Sequence, residues 1–267
     1  MTDVCMRFGL VFNPFLKNSK EVLIETPEFK EVIARLDYLK SIKGIGVITG
    51  EPGVGKTSAL RKWSSSLNQS LFKVIYTPLS TLTVNEFYNN LSLEMGLEPQ
   101  FKKKDNIHLI QNEINRLTIE RRITPVFILD EANYTRPGVL NDLKILFNFD
   151  MDSKDKAVVI LAGLTNLNST LRLSSHEPLR QRIVMNYKIS ALNKEEAKSF
   201  ISEKLQAAKC SKTIFSDNAL EAISNSANGI PRLLCKLANA CLVVANKKES
   251  DFVDDDIARI AIEDLTV

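Results

Sequence analysis

The chain has 267 residues, 44% apolar and 25% charged, with a net charge of +3. That is the composition of a soluble globular protein with room for one large domain or two modest ones. No stretch is long and apolar enough to span a bilayer, the N-terminal MTDVCMRFGLVFNPF lacks the basic start and apolar core of a signal peptide, and Cys5, Cys210, Cys235 and Cys241 have no metal-type spacing, so a cytoplasmic protein with reduced thiols and no membrane partner is expected.

In chain order, strand-like and helix-like stretches alternate. GIGVIT (44–49) is a short apolar run, followed by a Gly-rich turn and TSALRKWSSSL at helical spacing. FKVIYTPL (72–79) reads as a second strand. TVNEFYNNLSLEM (83–95) reads as a helix, with Thr83 and Glu86 forming a capping box. Ile107, Ile110, Ile114 and Leu117 make the apolar stripe of another helix. PVFILD (125–130) and AVVILAG (157–163) are buried-type strands separated by the helix GVLNDLKILFNF, and IVMNYKI (183–189) is the last strand. Continuous apolar strands alternating with helices predict an α/β fold, a parallel five-stranded sheet covered on both faces. From Asn193 onward only helices are expected, near 193–209, 216–227, 231–246 and 253–264. The predicted division is an α/β domain over 1–191 and a small helical domain over 192–267.

The charge is uneven. Residues 249–267 hold seven acids and one base, so the rest of the chain is more basic than the net charge suggests, a pattern compatible with a polyanionic partner.

The motif with the clearest chemistry is GEPGVGKT, residues Gly50, Glu51, Pro52, Gly53, Val54, Gly55, Lys56 and Thr57, followed by Ser58. It fits G-x-x-x-x-G-K-[ST] and stands between a strand and a helix, the context a phosphate-binding loop requires. Its backbone N–H groups face phosphate oxygens, Lys56 reaches the β- and γ-phosphates of ATP, and Thr57 offers its hydroxyl to Mg²⁺. VFILDEAN delivers Asp130 and Glu131 at the C-terminal end of a strand, the ligand-binding edge of an open α/β sheet. Asp130 holds the Mg²⁺ and Glu131 polarises the attacking water; Asn133 either restrains Glu131 or caps a helix. Beyond AVVILAG, Thr165 and Asn166 are alternative candidates to face the γ-phosphate, Asn166 being equally suited to cap a helix. Arg180 and Arg182, in LRQRI, lie just before the last strand, where one can supply charge to a neighbouring subunit's γ-phosphate. Arg232, in NGIPRLL, stands in the first turn of a helix, where the macrodipole disfavours a cation. A helical domain folded over the nucleotide would pair it with the phosphates and make it a sensor of ATP.

In order and spacing, the phosphate loop, ILDEA, the polar end of the fourth strand, LRQRI and GIPR resemble the AAA+ ATPases, P-loop NTPases with a helical lid. The finer resemblance is to the ExeA/TniB/TnsC/IstB group, because RFGLVFNPF (7–15) is similar to the start of ExeA-like proteins. It implies that this segment lies near the adenine, making Phe12, Asn13, Pro14 and Phe15 candidates for base contacts; a staple for the first helix is the alternative. Secretion ExeA proteins continue into a membrane segment and a cell-wall-binding domain, whereas this sequence stops at Val267, which favours the transposition relatives. The resemblance implies an ATP hydrolase that assembles on double-stranded DNA as a ring or helical filament, recruits or activates a transposase, and disassembles on hydrolysis; a target-selector protein is a further expected partner. It also places QFKKKDN facing the DNA, so that Lys102, Lys103 and Lys104, with Arg121 and Arg122 on the helix they lead into, would meet backbone phosphates without reading sequence. An ExeA-like ATPase working through protein contacts alone is the other reading.

Overall fold

A computed structural model describes residues 4–78, 81–150 and 153–265. The predicted strand over 72–79 therefore extends past the described part at Leu79. The chain runs through α1 (Val4–Phe8), α2 (Pro27–Ile42), β1 (Gly44–Gly50), α3 (Lys56–Ser66), β2 (Phe72–Thr77), α4 (Val84–Glu94) and α5 (Lys103–Asn115), which continues into a π-helical turn, Arg116–Glu120. Then come β3 (Thr124–Leu129), a 3₁₀ turn (Ala132–Tyr134), α6 (Pro137–Leu146), β4 (Val158–Gly163), α7 (Asn166–Leu171), α8 (Glu177–Arg180) and β5 (Ile183–Ile189). The helices α9 (Lys194–Ala207), α10 (Asp217–Ala227), α11 (Pro231–Lys247) and α12 (Asp255–Glu263) follow.

The strands form one parallel five-stranded sheet in the order β2-β3-β4-β1-β5. β1 and β4 are buried along their whole length, as strands covered on both faces must be, whereas the edge strands β2 and β5 alternate. In this order β3 and β1 are separated by β4, so the loop after β1 and the acids after β3 emerge at the same sheet edge, on either side of the end of β4. Thr83 accepts from Glu86 N while the Glu86 carboxylate accepts from Thr83 N, the capping box legible in the sequence.

Two compact units emerge. One comprises Glu31–Gly50 and Lys56–Ile189 and contains the sheet; the other comprises Met1–Lys30, Glu51–Gly55 and Ser190–Val267. The N-terminal segment thus groups with the C-terminal helices, whereas the sequence division over 1–191 assigned it to the α/β part. The reason is apolar burial: Phe8, Leu10 and Phe15 belong to the same core as Phe200, Ile201, Ile223, Leu234 and Leu242. A buried lysine adds to it, since Lys204 Nζ donates to Pro14 O at 3.3 Å and Val22 O at 2.8 Å. The helical unit holds an isolated parallel bridge between Phe215 and Val253, so Val253 lies outside α12, which starts at Asp255 behind an Asp254 cap.

Candidate functional site

The loop between β1 and α3 is the phosphate-loop segment. Lys56, the first residue of α3, is only 6% exposed, and its ammonium donates to Gly50 O at 2.9 Å. Thr57 Oγ1 donates to Asp130 Oδ2 at 2.9 Å, so a residue from the start of α3 meets one from the end of β3. Tyr76, on β2, donates its hydroxyl to the same oxygen at 3.0 Å, and the Glu131 N–H donates to Asp130 Oδ1 at 3.0 Å. Asp130 is 3% exposed, so these donors compensate the burial of its charge. Burial, then the Asp130 charge and hydrogen bond, push the Tyr76 phenol up to about 12, so it remains a donor through the neutral range. The hydroxyl of Thr57 and the carboxylate of Asp130 are hard oxygen donors side by side, a set whose chemistry fits Mg²⁺. Tyr76 was not anticipated from the sequence; a tyrosine on an edge strand has no motif, and only the pairing of β2 with β3 brings it to Asp130.

Glu131 is exposed and left-handed, with φ 53° and ψ 35°, a conformation that is costly for a side chain other than glycine and that recurs at functional sites. Among the described residues, the neighbouring Asn133 makes no side-chain bond to Glu131 and caps no helix. Its Oδ1 accepts from Leu164 N at 2.9 Å, tying the end of β3 to the end of β4. Gly163 permits this approach, because a Cβ there would lie 2.7 Å from that oxygen.

Thr165 and Asn166 open α7, and no side-chain cap bond is made there among the described residues; Thr165 is half-buried and Asn166 exposed. The polar side chain that links this region to the phosphate-loop strand is Asn168. Its Nδ2 donates to Thr49 Oγ1 at 2.9 Å, and its Oδ1 accepts from Asn186 Nδ2 at 3.0 Å. The sequence shows Asn168 in the same LTNLN cluster, but the helical turn that carries it back over β1 is a property of the fold. Arg180 and Arg182 also differ. Arg182 is half-buried and donates to Lys144 O at 2.6 Å, while Arg180 is exposed, donating to Arg172 O at 3.0 Å beside Glu177.

In the helical unit, Arg232 N donates to Gly53 O at 3.3 Å, so the first turn of α11 lies against the middle of the phosphate loop. Gly53 has φ +85°, and a Cβ there would stand 2.7 Å from Arg232 Cβ and 3.1 Å from Ile230 Cγ2. The puzzling arginine of NGIPRLL thus starts from the loop itself. In the N-terminal segment, Asn13 Oδ1 accepts from Phe15 N at 3.0 Å and its Nδ2 donates to Asn239 Oδ1 at 2.8 Å. Asn13, Pro14 and Phe15 are buried, whereas Phe12 is half-buried with the Lys20 ammonium 5.7 Å from its ring.

Residues 39–171 match the model of an AAA domain. General secretion pathway protein A of Aeromonas hydrophila is 30% identical, aligned over 96% of this chain and 47% of that protein. The chain belongs to the AAA+ ATPases of the ExeA/TniB-like group. It is also similar to the ATP-dependent target DNA activator B of Escherichia phage D108, at 25% identity over 91% of this chain and 73% of the phage protein. Among solved structures, Cdc6p from Pyrobaculum aerophilum matches with a TM-score of 0.73 at 16% identity, covering 94% of this chain and 70% of that one, a likeness of fold. The chain spans about half the length of the Aeromonas relative. No helix among the described residues is long and apolar enough to cross a membrane.

This AAA+ ATPase presents its basic stretch unevenly. Lys102 caps α5 without a side-chain bond and is exposed, as is Lys104. Lys103 turns inward to an ion pair with Asp142 at 2.5 Å, and its ammonium lies 5.8 Å from the Tyr88 ring centre. Arg121 and Arg122 are exposed after the π-helical turn, Arg122 with φ 57°.

Proposed function

We propose that this protein hydrolyses ATP while assembled on double-stranded DNA and thereby regulates DNA transposition. The observation that carries the ATPase reading is the Thr57–Asp130 hydrogen bond at 2.9 Å, with Glu131 held in a left-handed turn one residue beyond. ATP would lie with its phosphates along residues 50–57, Lys56 exchanging its bond to Gly50 O for phosphate oxygens. Thr57 and Asp130 would hold Mg²⁺, which neutralises phosphate charge when bound. Glu131 takes a proton from the attacking water, and the Asn133 bond to Leu164 N keeps the ends of β3 and β4 in register for it. Arg232 answers the phosphates in the same chain. In trans the stronger candidate is Arg180, because its side chain is exposed whereas Arg182 is half-buried. Phe12 is the residue of the N-terminal segment best suited to meet the adenine, since Asn13 has both side-chain groups engaged. Asn168 joins Thr165 and Asn166 as a candidate to monitor the γ-phosphate.

The DNA and transposition part is supported by the similarity to an ATP-dependent target DNA activator and by the exposed Lys102, Lys104, Arg121 and Arg122. Recruitment of a transposase, a target-selector contact and self-association into a ring or filament belong to the same proposal. The similarity to a general secretion pathway protein favours a second reading, an ATPase acting through protein contacts alone. ATPase turnover with and without duplex DNA separates the two. Stimulation by DNA, lost in Lys56→Ala and with Glu131→Gln binding ATP without turning it over, supports the first. Turnover indifferent to DNA, with no duplex bound in the presence of a non-hydrolysable ATP analogue, overturns it.

A further inference from the structure

Phe101 is 94% exposed, more than any other large apolar side chain among the described residues. A phenyl ring left in water forgoes the stabilisation that burial would give it, and a polar residue would serve an ordinary loop equally well. The loop that carries it is not loosely held. Asn106, fully buried in the first turn of α5, accepts from Gln100 N at 2.8 Å and donates to Gln100 O at 2.7 Å. The rest of its carboxamide is taken by α4, accepting from Ser92 Oγ at 3.2 Å and donating to Asn89 Oδ1 at 2.8 Å. An asparagine side chain offers two donors and two acceptor lone pairs, and all are used here. Both polar groups of the Gln100 backbone are thereby clamped from inside, and the next residue projects outward.

The exposed sequence neighbours of Phe101 are polar or cationic. Lys102 and Lys104 are exposed beside it, and His108, one turn on from Lys104, is exposed as well. Lys103 is drawn away to Asp142, so the lysines do not act as one block. The acids of the segment are Glu98, exposed, and Asp105, half-buried. A single ring on a rigid loop, bracketed by cations, matches the arrangement in which an apolar side chain enters a base step while basic side chains hold the flanking phosphates.

Resting on the DNA reading above, we propose that Phe101 is a wedge that enters a base step of the bound duplex, with Lys102 and Lys104 on the adjacent phosphates. The protein then prefers deformable duplex without reading base identity, because unstacking costs less at pyrimidine–purine steps and mismatches than in stiff A-tracts.

The test uses the full chain with a non-hydrolysable ATP analogue and two duplexes of equal length, one containing a central mismatch flanked by TA steps and one an A-tract. The wild-type protein should favour the first about tenfold, and 2-aminopurine placed at the mismatch should brighten on binding. Phe101→Ala should bring the ratio close to one and abolish the brightening, with the slope of affinity against salt unchanged. Phe101→Leu should restore much of both. The double variant Lys102→Ala, Lys104→Ala should weaken both duplexes alike and flatten the salt slope while keeping the ratio. If the wild-type protein binds DNA but Phe101→Ala keeps the ratio and the brightening, the wedge is refuted and the DNA reading stands. If the wild-type protein binds neither duplex, the DNA reading falls and the wedge with it.

Discussion

Replacing Gly53 with alanine tests whether the phosphate loop depends on the start of α11. Gly53 occupies an unspecified position of the motif, so its identity is not demanded by the phosphate pattern. It is demanded by φ +85°, which costs an alanine roughly 1–2 kcal/mol. It is demanded again by the packing, since the new methyl would sit 2.7 Å from Arg232 Cβ and 3.1 Å from Ile230 Cγ2, where carbon atoms prefer about 3.5–4.0 Å. Overpacking of this kind costs about 1–3 kcal/mol. The loop can escape by moving off α11, at the expense of the Arg232 N–Gly53 O bond, worth about 1 kcal/mol. The cheaper route, strain plus the lost bond, sets about 2–3 kcal/mol against the described loop conformation. Apparent affinity falls with the population of the competent form, so ATP and ADP should both bind on the order of 30-fold more weakly. Calorimetric titration of both nucleotides measures this, and thermal unfolding should show a loss of roughly 4–12 °C. Affinities within threefold of wild type, or a loss confined to ATP, would refute the reasoning, because strain in the loop that holds the phosphates common to both nucleotides must weaken both, whatever more ATP loses if Arg232 is displaced.

Arg232→Ala should do the opposite and distinguish them: loss of a charge-assisted contact, about 1.5–3 kcal/mol, lowers the preference for ATP over ADP roughly tenfold even at concentrations too low for assembly, and an unchanged ratio would make Arg232 a surface residue. Arg180→Ala should bind ATP normally as a monomer, fail in turnover, and regain activity when mixed with Lys56→Ala; no complementation would remove it from the trans role. Tyr76→Phe deletes a donor to the buried Asp130 carboxylate, so the Mg²⁺ concentration for half-maximal turnover should shift about tenfold with ADP affinity in the absence of metal unchanged, and an unshifted magnesium curve counts against that role. His176 is 1% exposed, its Nδ1 bonds Asn141 Oδ1 at 2.8 Å, and its Nε2 is buried with no hydrogen-bond partner among the described residues. Burial lowers its pKa below the usual value near 6.5, so the unfolded chain takes up a proton that the folded one resists. Stability should therefore fall as pH drops below about 6.5, and His176→Gln should flatten that part of the melting-temperature profile; an equally steep fall in the variant would exclude His176 as the source.

Much of this protein was legible in one dimension because the signals are local. The short apolar runs 44–49, 125–129 and 157–163 read as strands because their length and alternation with helices suit strands buried on both faces, and Thr83 with Glu86 marks a helix start through bonds spanning three residues. The phosphate loop is equally local: its glycines, lysine and threonine act on a ligand within a few residues of backbone. What remained hidden depends on residues far apart in the chain. The sheet order brings Tyr76 from β2 to Asp130 at the end of β3, and no spacing rule connects a tyrosine and an aspartate 54 residues apart. Apolar burial draws residues 4–15 to the C-terminal helices, a choice set by which core has room for Phe8 and Phe15. The same limit applies to the lysines of QFKKKDN, identical in sequence but not in role, since the helix geometry of α5 and the position of Asp142 turn Lys103 inward and leave Lys102 and Lys104 outside. Sequence records which chemistry a residue can offer; the packing of distant segments decides which residues are free to offer it.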